Sequence, residues 1–417
     1  MIKAIRGFND ILPDEIKFWE YIIDTSKKVF KSFGYKEIII PILEKTDLFL
    51  RTIGEATDIV EKEMYTFSDK KGNSITLRPE ATAGIIRAYL EHNLYTKETI
   101  TKLYLIGPMF RYERPQKGRY RQFYQIDAEV LGEERPLVDA EILVMVRQLL
   151  NNIGIDDVQI EINSLGCKKC RGLYIKKLIS FLEGRKDELC SDCRRRLNIN
   201  PLRILDCKVE GCRKVIQEAP IILDYLCNEC SNHFSDLKTY LGQLELPFIV
   251  NPLMVRGLDY YTRTTFEVTT KKLGSQNAVV AGGRYDNLIK ELGGPDIPAI
   301  GFAMGIERLV LLLKEKGFKP YITPLIFVAS LGEDAKKEAI NLVKNLREAS
   351  FSVEMDYSLK SLKAQLKRAD KLNAKYVLII GEDELANEEI IIRDMEKANQ
   401  EKIKKDYILN YLKEKNL

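Results

Sequence analysis

The stretch that decides the fold runs from Ile106 to Leu131, IGPMFRYERPQKGRYRQFYQIDAEVL. With the residues just before it, from 103 onward, it reads as two strands joined by a polar loop. The loop, Arg114 to Tyr120, carries Pro115 and Gly118. Side chains alternate faces along a strand. Tyr124, Ile126, Ala128 and Val130 therefore share one face, which suits a core, and Arg121, Phe123, Gln125, Asp127 and Glu129 share the other. On the partner strand Arg111 and Glu113 fall together, opposite Phe110 and Tyr112. The product is a sheet with one apolar face and one densely charged face. A solvated outer surface explains that pattern. So does a pocket in which a guanidinium, several carboxylates and an aromatic ring hold a charged ligand. This segment alone leaves both readings open.

Working outward, Ile16, Trp19, Ile22, Ile23, Val29, Phe30 and Phe33 recur at helical spacing, with Pro13 and Asp14 ahead of them and Gly34 as the stop. The β-branched run Ile38–Ile40 predicts a strand ended by Pro41, which cannot donate to a ladder. Downstream, a helix is expected over Asp139–Leu150 and a strand near Val158–Ile162. Residues 163 to about 238 change in composition, holding all eight Cys and the basic run Arg194–Arg196, and read as an insertion. Strand-like sequence resumes at Pro247 and runs through Val268. Ala299–Met304 reads as a buried strand that turns at Gly305 into a helix ending near Gly317. Beyond it, strands at Leu325–Ala329, Val353–Met355 and Tyr376–Ile380 alternate with helices at Ala335–Ala349 and Leu359–Leu372. That alternation predicts a small α/β domain. The expected division is 1–163, 164–238, 239–320 and 321–417.

A chain of 417 residues carries two or three domains. Its 45% hydrophobic and 30% charged residues predict a soluble globular protein. The net charge of +4 does not by itself mark a nucleic-acid binder, which needs locally clustered basic residues. No apolar run approaches the ~20 residues that span a bilayer, and the first residues do not read as a signal peptide. A cytoplasmic location with no membrane partner is expected, and there eight Cys are not disulfides. Only two histidines occur, His92 and His233, both outside the polar motifs. Both read as ordinary surface or boundary residues, and the chain does not read as a Ser-His-Asp hydrolase.

Three further features carry chemistry. Arg256-Gly257-Leu258-Asp259-Tyr260-Tyr261 offers a guanidinium, close backbone approach at glycine, and two phenols. Ala281-Gly282-Gly283-Arg284-Tyr285-Asp286 is followed by Gly301 to Leu309, which includes Gly305-Ile306-Glu307-Arg308. Arg308 falls in the first turn of its helix, where the macrodipole disfavours a cation, so an anion or a stacked base is expected there. Neither glycine-rich patch has P-loop or Rossmann spacing. The third feature is cysteine: Cys167/Cys170, Cys190/Cys193 and Cys227/Cys230 are Cys-x-x-Cys pairs, and Cys207/Cys212 is a looser one. Four pairs suffice for two tetrahedral zinc sites; the alternative is a set of reduced, partly buried thiols.

In order along the chain stand Pro41 after a helix and strand, Phe110-Arg111-Tyr112-Glu113, and Gly305-Ile306-Glu307-Arg308. This set resembles the three motifs of the class II aminoacyl-tRNA synthetases. Ile5-Arg6-Gly7-Phe8-Asn9-Asp10, Leu77-Arg78-Pro79-Glu80-Ala81-Thr82, the loop 114–120 and Arg256–Tyr261 are similar to signatures of the histidine-specific family within that class. Phe8 stands where Thr is more familiar, and Tyr124 and Asp127 where bacterial relatives often have His and Gly.

The resemblance implies an α+β fold: an antiparallel sheet flanked by helices, an inserted mainly helical domain, and a C-terminal α/β anticodon-binding domain. It implies a homodimer that activates L-histidine with Mg2+-bound ATP, releases pyrophosphate, and esterifies the 3′ end of tRNA(His). Glu80, Thr82 and Gln125 resemble the groups that hold the α-amino group, with Ala81 in the same histidine-binding set. Glu129 and Tyr261 resemble the readers of the imidazole, and Tyr260 lines that pocket. Arg111 and Arg256 resemble the catalytic pair on the α-phosphate and substrate carboxylate. Phe123 and Arg308 would sandwich the adenine, with Glu113 and Arg119 positioning ATP. Arg114 and Gln116 would meet the tRNA acceptor end. Any zinc at the cysteines would be structural. The rivals are a synthetase-like regulatory subunit of histidine biosynthesis, a non-catalytic tRNA-sensing module, and a class II enzyme for another amino acid.

Overall fold

The computed structural model describes residues 2–54, 57–274, 277–320, 325–358 and 360–415. It divides into two compact units, Met1–Pro320 and Tyr321–Leu417. The expected boundary after 320 adjoins residues 321–324, which lie outside the described residues, as does Leu359 of the expected helix.

The first unit is organised by an eight-stranded sheet. In chain order its strands are β1 (Lys36–Glu37), β2 (Thr101–Phe110), β3 (Gln122–Leu131), β4 (Gln159–Ser164), β5 (Ile249–Val250), β6 (Thr262–Thr269), β7 (Ala278–Arg284) and β8 (Ala299–Gly305). The spatial order is β1-β2-β3-β8-β7-β6-β4-β5. The six inner strands pair antiparallel, while β1 and β5 add parallel edges. The alternation read in the sequence sets the two faces. Ile126, Ala128, Val130, Phe266, Val268, Ile300 and Met304 form one core with the helices Pro13–Ser32, Pro136–Ile153, Asn228–Gln243 and Ile306–Glu315. Burying so many aliphatic side chains, at roughly 1.5–3 kcal/mol each, fixes which face of the sheet turns inward.

Several expectations need correction. Ile38–Ile40 is not a strand; β1 lies just before it, and only Ile38 continues the pattern, donating to the Tyr104 carbonyl at 2.9 Å. Pro41 has no N–H, and the buried Arg78 guanidinium takes the Ile40 carbonyl at 3.0 Å, so the chain peels away. The run from Pro247 to Val268 is broken: β5 and β6 are separated by a loop over 251–261. Strand β2 stops at Phe110, so Arg111 and Glu113 lie beyond it rather than on its face. His233 is 7% exposed, not a surface residue, and sits in a helix with Nε2 3.7 Å from Asp139 Oδ2. Burial, then the charges of Arg284 and Arg263, lower its pKa to about 4.

Residues 164–238 belong to the first unit and are largely helical: Lys168–Glu183, Ser191–Ile199, Glu210–Gln217 and the start of Asn228–Gln243. The second unit holds a five-stranded sheet ordered Ser352–Met355, Leu325–Ser330, Ala374–Ile380, Glu389–Asp394, Gln400–Lys404. The first three strands are parallel, joined by the helices Glu333–Glu348 and Leu362–Lys371, and the last two are antiparallel. No helix among the described residues is long and apolar enough to cross a membrane.

Candidate active site

The charged face of β3 is not a solvated surface. It floors a cleft of about 310 Å³, together with β7 and β8. Phe123, Gln125 and Asp127 from β3 line it, and neighbouring β8 supplies Gly301, Ala303 and Gly305, opposite Glu129, Asp127 and Gln125 respectively. These glycines and alanine leave room above the strand for the longer side chains of β3. At Gly301 the need is strict, because a methyl there would overlap Glu129 Oε2.

Buried carboxylates gather at the cleft floor. Glu80 accepts the backbone N–H groups of Thr82 at 2.7 Å and Ala83 at 2.9 Å, which start the helix Thr82–Glu91. The Thr82 hydroxyl donates to Glu129 Oε1 at 2.7 Å, and the Tyr285 hydroxyl donates to Glu129 Oε2. Glu129 is 1% exposed, and burial pushes its pKa up to about 8 against the pull of those two hydroxyls. Asp127 is equally buried. Burial, followed by repulsion from Glu129 and Glu80, raises its pKa well above the carboxylate range, and its Oδ2 finds no hydrogen-bond partner among the described residues. Tyr260 and Tyr261 line the cleft beside them, their rings 4.7 Å apart, Tyr260 edge-on to Tyr285 at 5.5 Å and Tyr261 5.7 Å from the Arg256 guanidinium.

Four arginines line the same cleft. Arg111 is anchored by Nε to the Pro79 carbonyl at 2.8 Å, and its guanidinium stands 5.3 Å from the Phe123 ring centre. Arg119 pairs with Glu113, and Arg256 pairs with Glu267. Arg308, in the first turn of its helix, donates to the Ala278 carbonyl. Burial lowers the Arg308 pKa, and the nearby charges of Arg119 and Arg111 push the same way. Guanidiniums held together against their own repulsion form a site for a polyanion. Gly118, with φ of +73°, brings the loop 114–120 down against Arg308 and Leu311 of that helix. Glu307 accepts the Tyr124 N–H at 2.9 Å, and burial raises its pKa to about 7.

Of the residues singled out in the sequence, Glu80, Thr82, Arg111, Glu113, Arg119, Phe123, Gln125, Arg256, Tyr260, Tyr261 and Arg308 all line this one cleft. Glu129 lies beneath it, reached through Thr82 and Tyr285. Ala81 does not line it; the residue is fully buried, and its carbonyl starts the helix by accepting from Ile85 at 2.9 Å. Arg114 and Gln116 are exposed, outside the cleft. The motif at Ile5–Asp10 is a brace: the Gly7 carbonyl accepts from Arg121 at 2.8 Å, ahead of β3.

The histidyl-tRNA synthetase family model matches residues 7–309, and an anticodon binding domain model matches 325–415. The chain belongs to the histidyl-tRNA synthetase family. The histidine–tRNA ligase of Syntrophotalea carbinolica is 52% identical over 414 residues, 99% of each chain. That of Geobacter sulfurreducens is 53% identical over 400 residues, 96% of each. The apo histidyl-tRNA synthetase of Staphylococcus aureus superposes with a TM-score of 0.83 at 38% identity, covering 99% of both chains. Family membership brings the expected α+β architecture, with an antiparallel-rich sheet and an anticodon-binding domain.

Sequence reasoning left two partners without a role. Tyr285 stands in the sequence as part of a glycine-rich patch, yet it holds Glu129. Glu267 was not singled out, although it holds Arg256. The alternation of β6 was the available signal, since it sets Glu267 opposite Ala281, a residue of the cleft wall. The eight cysteines fall into two quartets, Cys167/Cys170/Cys227/Cys230 and Cys190/Cys193/Cys207/Cys212, and none of them lines the cleft.

Proposed function

We infer that this chain is a histidine–tRNA ligase. It joins L-histidine to ATP, giving histidyl-adenylate and pyrophosphate, and then passes the histidyl group to the 3′ end of tRNA(His). The observation that carries this reading is a single cleft that gathers buried carboxylates and phenols together with four guanidiniums.

In the first step the substrate carboxylate attacks the α-phosphate. It is already a nucleophile, so no protein base is required, which suits a chain with two histidines, neither of them in the cleft. The protein aligns the reactants and stabilises charge growing on the phosphate. Arg111 and Arg256 are the groups for that task, as forked cations that stay charged. Phe123 and Arg308 take the adenine, and Glu113 and Arg119 position the triphosphate. Mg2+ enters with ATP, and the carboxylates of Glu113 and Glu267 on the cleft wall are hard oxygen donors of the kind it takes.

Glu80, Thr82 and Gln125 hold the α-ammonium. Glu129 and Tyr261 read the two ring nitrogens, with Tyr260 beside them. Such a pocket rejects an apolar isostere strongly, because its own polar groups would be left unpaired. The exposed Arg114 and Gln116 meet the acceptor end, and the unit 321–417 binds the anticodon, with Lys and Arg on phosphates and hence a steep salt dependence. A homodimer, a cytoplasmic location and the division 1–163, 164–238 and 239–320 complete the reading.

The test is ATP–pyrophosphate exchange with each standard amino acid, followed by charging of tRNA(His). Exchange with histidine alone is expected. Exchange with another amino acid overturns the assignment of Glu129 and Tyr261. Folded protein that exchanges with none is the regulatory or tRNA-sensing relative instead.

A further inference from the structure

We propose that the two cysteine quartets are closed tetrathiolate zinc sites, and that they stiffen the segment bracing the loop that carries Arg256, Tyr260 and Tyr261. In each quartet the four sulfurs lie within 4.8 Å of one another. A tetrahedron with ~2.3 Å zinc–sulfur arms has edges of about 3.8 Å. The Sγ atoms of Cys167 and Cys170 are 3.5 Å apart, and those of Cys190 and Cys207 are 3.9 Å apart. A disulfide requires about 2.05 Å, and all eight cysteines are free. A cubane iron–sulfur cluster attaches each thiolate to a separate iron, which calls for wider spacing than one shared metal shell.

Backbone N–H groups are aimed at two of the sulfurs. The Cys227 N–H donates to Cys170 Sγ at 3.1 Å, and the Cys190 N–H donates to Cys212 Sγ at 3.1 Å. Such outer hydrogen bonds orient metal ligands and spread their charge. Cys167, Cys190 and Cys227 each immediately precede a helix, and Cys170, Cys193 and Cys230 lie in its first turn. The positive ends of three helices therefore face the sulfurs. Each quartet combines two buried and two half-buried cysteines and supplies all four ligands itself. With no open position, the sites are structural.

The quartets connect to the cleft through particular residues. Arg171, next after Cys170, donates to the carbonyls of Asp259, at 3.2 Å, and Tyr261. Asn200, at the end of the helix that begins beside Cys190, donates to both carboxylate oxygens of Asp259, at 3.0 and 3.1 Å. Arg203 donates to the Arg256 carbonyl at 3.2 Å. Removing the metals loosens these donors and, through them, the loop. This second half rests on the histidine reading of that loop, whereas the metal content does not.

The test begins with metal analysis of the purified full-length chain after exhaustive dialysis, with two zinc ions per chain expected. Titrating the eight thiols with a mercurial should release both to a colorimetric chelator. Cobalt exchanged for zinc should show the intense visible bands and near-ultraviolet charge transfer of tetrahedral thiolate coordination. C190S and C227S should each retain one zinc ion; if they do not fold, the wild-type stoichiometry and cobalt spectrum decide alone. Folded protein with no metal, with one zinc ion, or with iron overturns the proposal. For the bracing, partial stripping with a chelator should raise the histidine KM while leaving the ATP KM near its starting value. An unchanged histidine KM in zinc-depleted, folded enzyme overturns that half and leaves the sites standing.

Discussion

Replacing Glu129 by glutamine probes the pocket most sharply. In the free protein the Glu129 carboxyl titrates at about 8, raised chiefly by burial. Free imidazole titrates near 6.5. Between those values the pocket holds one proton and the incoming ring holds none, so the pair, linked through the Thr82 and Tyr285 hydroxyls, shares a single proton. Above about 8 the pocket has lost that proton, and below roughly 6.5 the substrate brings one too many. The kcat/KM for histidine in pyrophosphate exchange should therefore be bell-shaped. Glutamine preserves the shape, and the hydroxyls of Thr82 and Tyr285 can each turn to accept from its amide. It cannot exchange a proton with the ring. The lost interaction is a hydrogen bond to an ionisable group, about 1.5–3 kcal/mol, or roughly a 10- to 150-fold drop in kcat/KM. Plotting the wild-type/variant ratio against pH cancels the titrations of histidine itself. That ratio should fall through about 8. A ratio that is flat in pH, or near unity throughout, would show that Glu129 does not read the ring.

Three further outcomes follow from the same geometry. Gly301→Ala places a methyl on Glu129 Oε2, so histidine-dependent exchange should collapse while ATP binding, measured by equilibrium dialysis, persists; normal activity would show that the carboxylate is free to move. Arg308→Ala removes a cation held beside Arg119 and Arg111, and the ATP KM should rise by roughly tenfold for the loss of one charged contact, with little change in the histidine KM. The folded pKa of His233, about 4, lies below its ordinary 6.5, so the unfolded chain binds the extra proton. Stability is then lost as pH falls through that window, by up to about 3 kcal/mol. Urea melts of His233→Gln should show a flatter acid limb than the wild type, and equal slopes would refute the burial argument.

The sheet and much of the cleft were legible because alternation leaves a trace in one strand at a time. Arg121–Leu131 has a core residue at every second position and pocket chemistry between them, so both faces could be read before any partner was known. What was not legible depends on residues remote in sequence. The strand expected at Ile38–Ile40 failed because Arg78 takes its last carbonyl. Tyr285 holds a residue 156 positions away, and nothing local to it announces that contact. His233 looked ordinary because its burial is decided by Asp139 and Arg284, which pair at zero exposure. Cysteine spacing announced pairs, but which pairs share a site is a matter of topology.

That topology bears on how the chain is made. The quartet at 190–212 lies entirely inside the span bounded by the quartet at 167–230. As the polypeptide emerges from the ribosome, the inner four sulfurs are complete while the outer set still lacks Cys227 and Cys230. The shorter ring also closes at less entropic cost, since each doubling of loop length adds about 0.6 kcal/mol. With zinc at both quartets as proposed, the inner ring closes first and the outer one spans a chain already shortened, so Arg171, Asn200 and Arg203 are drawn into place as residues 256–261 emerge. On that proposal the cradle forms no later than the loop it holds, and the order of the codons serves as an assembly schedule.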